Sequence, residues 1–154
     1  IASAVYKNNS TRIVAETDGE GFTNLPISII IDEKTGGSAE LVAEALRDKA
    51  GGMTVGETSS GYGTLQESRT FSDGSAIEIS VAVIRPAAEG GEYNETGITP
   101  EFFVEFDGDY ERDPIGYASS SDLQLKKAVE VISTKANAAA EEAAARAEET
   151  EAAE

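Results

Sequence analysis

The chain has 154 residues, with 12 Lys and Arg against 29 Asp and Glu, and a formal net charge of −17. This length suits one domain with a real core. The strong negative charge repels phosphate backbones and anionic lipid headgroups, so the sequence predicts no nucleic-acid partner. No window approaches the roughly 18 to 20 apolar residues of a membrane span, which argues against membrane insertion.

The sequence contains neither cysteine nor histidine. This excludes disulfides, thiol nucleophiles, Ser-His-Asp catalysis and imidazole metal sites. Any general base must therefore be a carboxylate, a lysine, a tyrosine or water, and we expect no cofactor. Because the first residue is Ile1 rather than Met, we interpret the chain as a piece of a longer protein whose N-terminus was removed.

The first half of the chain alternates between strand and helix patterns. ASAVYKN and TRIVAET read as short strands, and the continuous apolar run LPISIIID predicts a strand that is covered on both faces. Apolar residues then recur at helical spacing from Ser38 to Lys49, before a Gly51-Gly52 stop, and MTVGE reads as the next strand. Strand, helix and strand in this order predict a βαβ unit with parallel strands.

The second half predicts a hairpin, a short strand and a helix. TLQESRTF and SAIEISVAVI flank the turn signal SDG and indicate a β-hairpin, and ITPEFFVEF indicates a further strand or edge segment. In SDLQLKKAVEVIST, Ser121 and Gln124 have the spacing of a capping box. The helix should pack on the sheet through one apolar face. That face consists of Leu125, Ala128, Val129 and Ile132.

The last nineteen residues are almost entirely alanine and glutamate. We therefore divide the chain into a domain at 1–135 and an acidic tail at 136–154. The composition favours helix but offers no apolar stripe, so we expect a solvated helix that frays into disorder. A partner-binding helix is the alternative.

The turn GGSAE between a strand and a helix raises the question of a nucleophile at Ser38. Glycines at such a turn let backbone amides approach a ligand, and a helix N-terminus favours negative charge. The same residue type is also a common helix cap. Taken alone, the turn leaves both interpretations open.

A longer pattern resembles a known family. The stretch LPISIIIDEKTGGSAELVAEALRDKAGGMTVGETSSGYGTLQ, followed by FSDGSAIEISVAVIRP and TGITPEFFVEF, is similar to the C-terminal processing peptidases, or tail-specific proteases. The resemblance covers most of the chain. It implies an α/β fold of the ClpP/crotonase type and a serine peptidase that uses a Ser-Lys dyad.

Two motifs fix the register of this resemblance. Glu40 matches the glutamate three residues after the family's nucleophile, which places Gly37 at the nucleophile position. VGETSSGYGTLQ matches the family's VGExTxGKGxxQ, so Tyr62 stands at the position of the lysine base and Gln66 matches the family's glutamine. The separation of positions 37 and 62 equals the family's Ser-Lys spacing, and both members of the dyad are replaced.

The loss of both side chains predicts a catalytically inactive domain. Glycine has no group with which to attack, and a phenol is a poor base at neutral pH because its phenolate is scarce. We expect a peptide-binding, scaffold or regulatory role, with peptides or protein C-terminal tails as partners. The alternative is an active serine peptidase that uses Ser38, with a base from a missing half or a partner. Even without attacking, Ser38 would offer its backbone amide to an oxyanion hole.

The resemblance also implies that segments are missing. The family's DLRxNPGG-type strand, which supplies the second oxyanion amide, and its PDZ domain would both precede Ile1. The sheet must then close without those strands or borrow them from a second copy, so a homodimer is one expected assembly. The family further implies an extracytoplasmic or secreted bacterial location.

One acidic stretch has a spacing that calcium loops use. Asp107, Asp109, Glu111 and Asp113 alternate along the chain, but Arg112 replaces the glycine of an EF-hand loop. We therefore interpret this stretch as a solvated acidic turn and expect no metal site.

Overall fold

The computed structural model describes residues 2–16, 25–86, 91–106 and 122–151, and within the last helix it describes no side chain at residue 144 or at 146–151. The described residues form a mixed α/β fold with two sheets and two helices. The elements are β1 Ala2–Tyr6, β2 Thr11–Ala15, β3 Ser28–Ile31, α1 Ser38–Ala50, β4 Met53–Gly56, β5 Thr64–Thr70, β6 Ala76–Pro86, β7 Phe102–Phe103 and α2 Leu123–Glu151. The α/β class with a βαβ unit, a hairpin and a C-terminal helix is thereby confirmed.

The two sheets differ in direction. One is antiparallel with the order β2-β1-β6-β5, and the other is parallel with the order β3-β4-β7. Strand β3, helix α1 and strand β4 form the predicted βαβ unit, and β5 and β6 form the predicted hairpin. Helix α1 contacts both β4 and β6, so it lies between the sheets, whereas α2 contacts β3 and β4.

The core lies between α1 and the parallel sheet. Ile31, Ala43, Tyr93 and Ile98 are buried together, and Ile29 packs against them. Ile29 and Ile31 share one face of β3 because side chains alternate along a strand. On the other face of β3, Ile30 is 43% exposed although α2 contacts this strand, so the predicted cover of that face is only partial.

Helix α1 ends as the sequence predicts. Gly51 adopts a left-handed φ of +59°, and the Gly52 amide donates to the Leu46 carbonyl at 3.0 Å, which closes the last turn. The Lys135 Nζ of α2 also donates to the Gly51 carbonyl at 2.6 Å. This contact fixes α2 against the end of α1.

The start of α2 differs from the prediction. Asp122 rather than Ser121 caps the helix, because the Asp122 Oδ1 accepts the Leu125 amide at 2.9 Å; Ser121 lies outside the described residues. Gln124 is buried and its Nε2 donates to the Val104 carbonyl at 3.0 Å. Ala128 and Val131 complete the buried face. Val129, predicted to lie on that face, is instead 54% exposed.

Helix α2 continues without a break across the predicted boundary at residues 135 and 136. The side chains described beyond residue 135 are exposed, as expected for a solvated Ala/Glu helix. Whether 1–135 forms a separate domain stays a prediction. In the described part of the chain, no helix is long and apolar enough to cross a membrane.

Candidate functional site

The turn between β3 and α1 is held by its first polar residue. Asp32 Oδ1 accepts the backbone amide of Thr35 at 2.8 Å and its hydroxyl at 2.8 Å, as in turns that aspartate commonly initiates. The Thr35 carbonyl then accepts the Ser60 amide at 2.9 Å. The turn is therefore tied to the loop after β4 before the helix begins.

Gly37 is the pivot of this turn. Its φ of +60° and ψ of −121° belong to a region that glycine adopts without the Cβ clash of other residues. The Ala39 amide donates to the Gly36 carbonyl at 3.2 Å, so Gly37 occupies the first central position of a type II′ turn. Nucleophile elbows of hydrolases hold their serine on a comparably strained strand-to-helix turn.

The sequence-based interpretation of Ser38 as the helix cap is wrong. Gly37 is the N-cap and makes no side-chain cap bond, while Ser38 is already the first residue of α1 and is exposed. Glu40, the third residue of α1, supplies one arm of a capping box, because its Oε2 accepts the Gly37 amide at 3.0 Å. The reciprocal arm of a capping box cannot form, since glycine has no side chain.

Glu40 connects the start of α1 to the 57–63 loop. It is fully buried, and its two oxygens accept four hydrogen bonds. Besides Gly37, the donors are the Ser59 hydroxyl, the Gly61 amide at 2.7 Å and the Tyr62 amide at 2.8 Å. A buried carboxylate is tolerated only when it is paired or well hydrogen-bonded, and here the backbone donors meet that requirement. We call Glu40 and its four donors the Glu40 brace.

The opposite side of the 57–63 loop is held by residues 93–98. Ser59 exchanges bonds with Ile98: its amide donates to the Ile98 carbonyl at 3.1 Å and its hydroxyl accepts the Ile98 amide at 2.7 Å. The Glu95 amide donates to the Gly61 carbonyl at 2.8 Å. The backbone on both sides of position 62 is therefore fixed.

These contacts shape a cleft of about 300 Å³ between α1, the 57–63 loop and the antiparallel sheet. All four residues singled out from the sequence line it together: Gly37, Ser38, Tyr62 and Gln66. A Cβ built at position 37 would lie 3.6 Å from Tyr62 Cδ1, an ordinary van der Waals contact. The positions that the resemblance assigns to the nucleophile and the base, Gly37 and Tyr62, are thus neighbours in the cleft. The remaining lining residues are Val14, Leu41, Thr64, Leu65, Ile84 and Tyr93.

No described lining residue of the cleft is charged. Neither Lys34 nor Lys49 reaches it, and Lys49 pairs with Asp48 at 2.6 Å near the far end of α1. Tyr93 is buried, and burial together with the nearby Glu40 and Glu44 raises the pKa of Tyr93 to about 12. Its phenol therefore stays protonated at neutral pH, so it can donate a hydrogen bond to a ligand but does not act as a base.

Two features of the site escaped the sequence-based prediction. In the sequence, Glu40 was used only to align the chain with the family's motif. Its role as a hydrogen-bond acceptor was not predicted, because its donors lie up to 22 residues away along the chain. Tyr93 lies in a Gly- and Glu-rich segment, and its aromatic ring was the one feature of that segment that could have indicated a place in the site. Both require knowledge of the tertiary fold.

The described residues contain no group of three or more acidic side chains placed to hold a metal ion. The acidic stretch at 107–113 lies outside the described residues. The absence of a metal site and of a cofactor stays a prediction.

The fold and the cleft together define a peptidase-type framework. Residues 1–104 match the model of peptidase family S41. The chain belongs to this family.

Two relatives agree with this assignment. The carboxyl-terminal-processing protease of a Picosynechococcus species is 30% identical over 117 residues, which cover 74% of this chain and 27% of the relative. Carboxy-terminal processing protease CtpA of Bacillus subtilis is 30% identical over 105 residues, 68% of this chain and 22% of the relative. The chain thus spans about a quarter of the length of these relatives.

A Bacteroides fragilis protein described as an S41 protease has a similar fold. Its TM-score is 0.61 at 17% identity, over 86% of this chain and 36% of that one. At this identity the similarity concerns the fold alone.

Proposed function

We propose that this S41 domain binds peptide segments in the cleft without hydrolysing them, and that it serves as a scaffold or regulator in its parent protein. The observation that carries the proposal is the pair formed by Gly37 and Tyr62. A Cβ at position 37 would lie 3.6 Å from the Tyr62 ring, so the two positions adjoin as those of a nucleophile and its base would, yet neither residue provides the required group.

The chemistry of the cleft supports binding over turnover. Peptide hydrolysis through an acyl-enzyme needs a nucleophile and a neighbouring base that accepts its proton. The described lining residues provide hydroxyl and amide groups but no amine, imidazole or carboxylate. Apolar walls with a few polar groups are typical of sites that bind a ligand and orient it.

The family supports the nature of the partner and the location. The names of the relatives refer to processing at the carboxyl terminus, which favours peptides or protein C-terminal tails as ligands. An extracytoplasmic bacterial location and a homodimer that completes the sheets are further parts of the proposal.

The decisive experiment uses the full-length parent protein and a labelled, unstructured peptide. We expect the peptide to bind and to remain intact. A matched double variant, Gly37→Ser with Tyr62→Lys, refills both positions and should gain fluorophosphonate labelling at position 37. Cleavage by the parent that survives Ser38→Ala but is lost when the cleft is altered would contradict the proposal.

An active peptidase that uses Ser38 is the second candidate. The observation in its favour is that Ser38 is exposed and lines the cleft. Against it, a shift of one residue along a helix turns the side chain by about 100°, and a base would have to come from a missing half or a partner. A fluorophosphonate adduct at Ser38 in the full-length protein, abolished by Ser38→Ala, would favour this candidate.

A further inference from the structure

We infer that the cleft recognises the neutral backbone of an internal peptide segment rather than a free C-terminal carboxylate, with the Tyr93 hydroxyl as the donor that anchors a ligand carbonyl. The inference rests on the proposed peptide-binding function and specifies its ligand. It depends on Tyr93, which belongs neither to the Glu40 brace nor to the two motifs that align the chain with the family's dyad.

Tyr93 is the buried polar group of the cleft wall. Only 1% of the residue is exposed, yet it lines the cleft. In the described part of the chain its hydroxyl has no hydrogen-bond partner. The fully enclosed unpaired side-chain atoms there are Ser28 Oγ and Glu44 Oε2; the Tyr93 hydroxyl is not one of them, and Tyr93 is a lining residue of the cleft. A buried phenol without a partner is costly, and a ligand acceptor would remove that cost.

A second donor lies on the same cleft. The Ser38 amide belongs to the first turn of α1 and makes no hydrogen bond in the described residues. The first amides of a helix have no partner within the helix, so this group is available to an acceptor. Two donors favour a ligand that presents carbonyl oxygens, as a peptide backbone does.

The charges around the cleft select against a carboxylate. No described lining residue is cationic, so nothing in that lining compensates a ligand's negative charge. The buried carboxylates of Glu40 and Glu44 lie near Tyr93, and their proximity disfavours ionisation of the phenol. The chain as a whole carries a net charge of −17. A free carboxylate entering the cleft would meet repulsion in a poorly screened environment.

Paired peptides on the full-length protein test the inference. Labelled ten-residue peptides that end in Ala, Val or Leu are synthesised both with a C-terminal amide, which mimics an internal peptide bond, and with a free carboxylate. We expect the amide forms to bind at least about fivefold more tightly at low salt, with the difference shrinking as salt screens the repulsion. Tighter binding of the carboxylate forms would overturn the inference.

The role of Tyr93 is tested by Tyr93→Phe, which keeps the buried ring and removes the hydroxyl. We expect affinity for the amide peptides to fall about 3- to 10-fold, the effect of one hydrogen bond. Tyr6→Phe is the matched control because Tyr6 lines a different cavity, and it should leave binding unchanged. Unchanged binding by Tyr93→Phe would contradict the anchoring role. Absence of binding by either peptide form would instead contradict the proposed function itself.

Discussion

At the junction of α1 with the 57–63 loop, the fully buried Glu40 accepts four hydrogen bonds from groups that line or support the cleft. In the outer half of the β5–β6 hairpin, by contrast, Ile77 and Ile79 are 46% and 42% exposed. The exposed ion pair of Arg69 with Glu67 is the kind of contact that contributes little to stability. The junction therefore fixes the geometry of the cleft, whereas little depends on the hairpin end.

The largest effect that tests this comparison is expected from Glu40→Ala. The change leaves three backbone amides and the Ser59 hydroxyl without their acceptor in a buried place. We expect the free energy of unfolding to fall by about 3–5 kcal/mol, measured by urea denaturation followed by circular dichroism. The exposed Glu33→Ala is the control and should change stability by less than about 0.5 kcal/mol. A loss below about 1 kcal/mol at Glu40 would show that the brace is not structural.

The next prediction distinguishes the stability cost of an unfavourable backbone conformation from the cost of a steric clash. Gly61 and Gly74 have similar positive φ values, +73° and +85°. A Cβ at Gly61 would lie 2.7 Å from the Gly97 amide nitrogen, whereas a Cβ at Gly74 would meet nothing within 4 Å. Gly74→Ala should cost about 1 kcal/mol, and Gly61→Ala about 2–3 kcal/mol more, in the same denaturation assay. Equal losses would mean that the 57–63 loop adjusts freely.

How far the sequence predicts this architecture depends on the range of the interactions. Hydrophobic periodicity and turn residues act locally, and they predicted the βαβ unit and the SDG hairpin. The spacing of Glu40 and Tyr62 also placed positions 37 and 62 in one cleft, as the structure shows. Interactions between distant segments were not predictable, because Glu40 meets donors from another loop and Tyr93 reaches the cleft from a third.

The local errors have the same origin. Serine is a good helix cap in general, but α1 begins one residue earlier than a Ser38 cap would require, so Gly37 is the N-cap and Ser38 already lies in the first turn. On α2, the 3.6-residue period allowed either Val129 or Val131 to face the sheet. Tertiary packing buries Val131 to 7% exposure and leaves Val129 in solvent.

A smaller effect concerns the second buried carboxylate of α1. Burial raises the pKa of Glu44 despite its 2.7 Å pair with Arg47, so the charged form is less favourable in the folded than in the unfolded state. Its stabilising contribution is present below the ordinary glutamate pKa and is lost as pH rises through the raised pKa. Glu44→Gln should therefore increase the free energy of unfolding at pH 7 by up to about 1 kcal/mol, and the gain should shrink towards pH 4. The exposed Glu130→Gln is the control, and a destabilised Glu44→Gln protein at pH 7 would contradict this account.

The smallest effect on the free energy of unfolding is expected at the hairpin end. Ile79→Thr keeps a β-branched side chain on β6 and removes apolar surface that is already 42% exposed. We expect a change of less than about 0.5 kcal/mol in the free energy of unfolding and no change in peptide affinity, measured by denaturation and by fluorescence anisotropy. Ile31→Thr, at a position 1% exposed in the core beside Tyr93, is the matched comparison and should cost about 2–3 kcal/mol. If Ile79→Thr were as costly as Ile31→Thr, the hairpin end would have to be packed against another part of the protein, and the contrast between the two regions would fail.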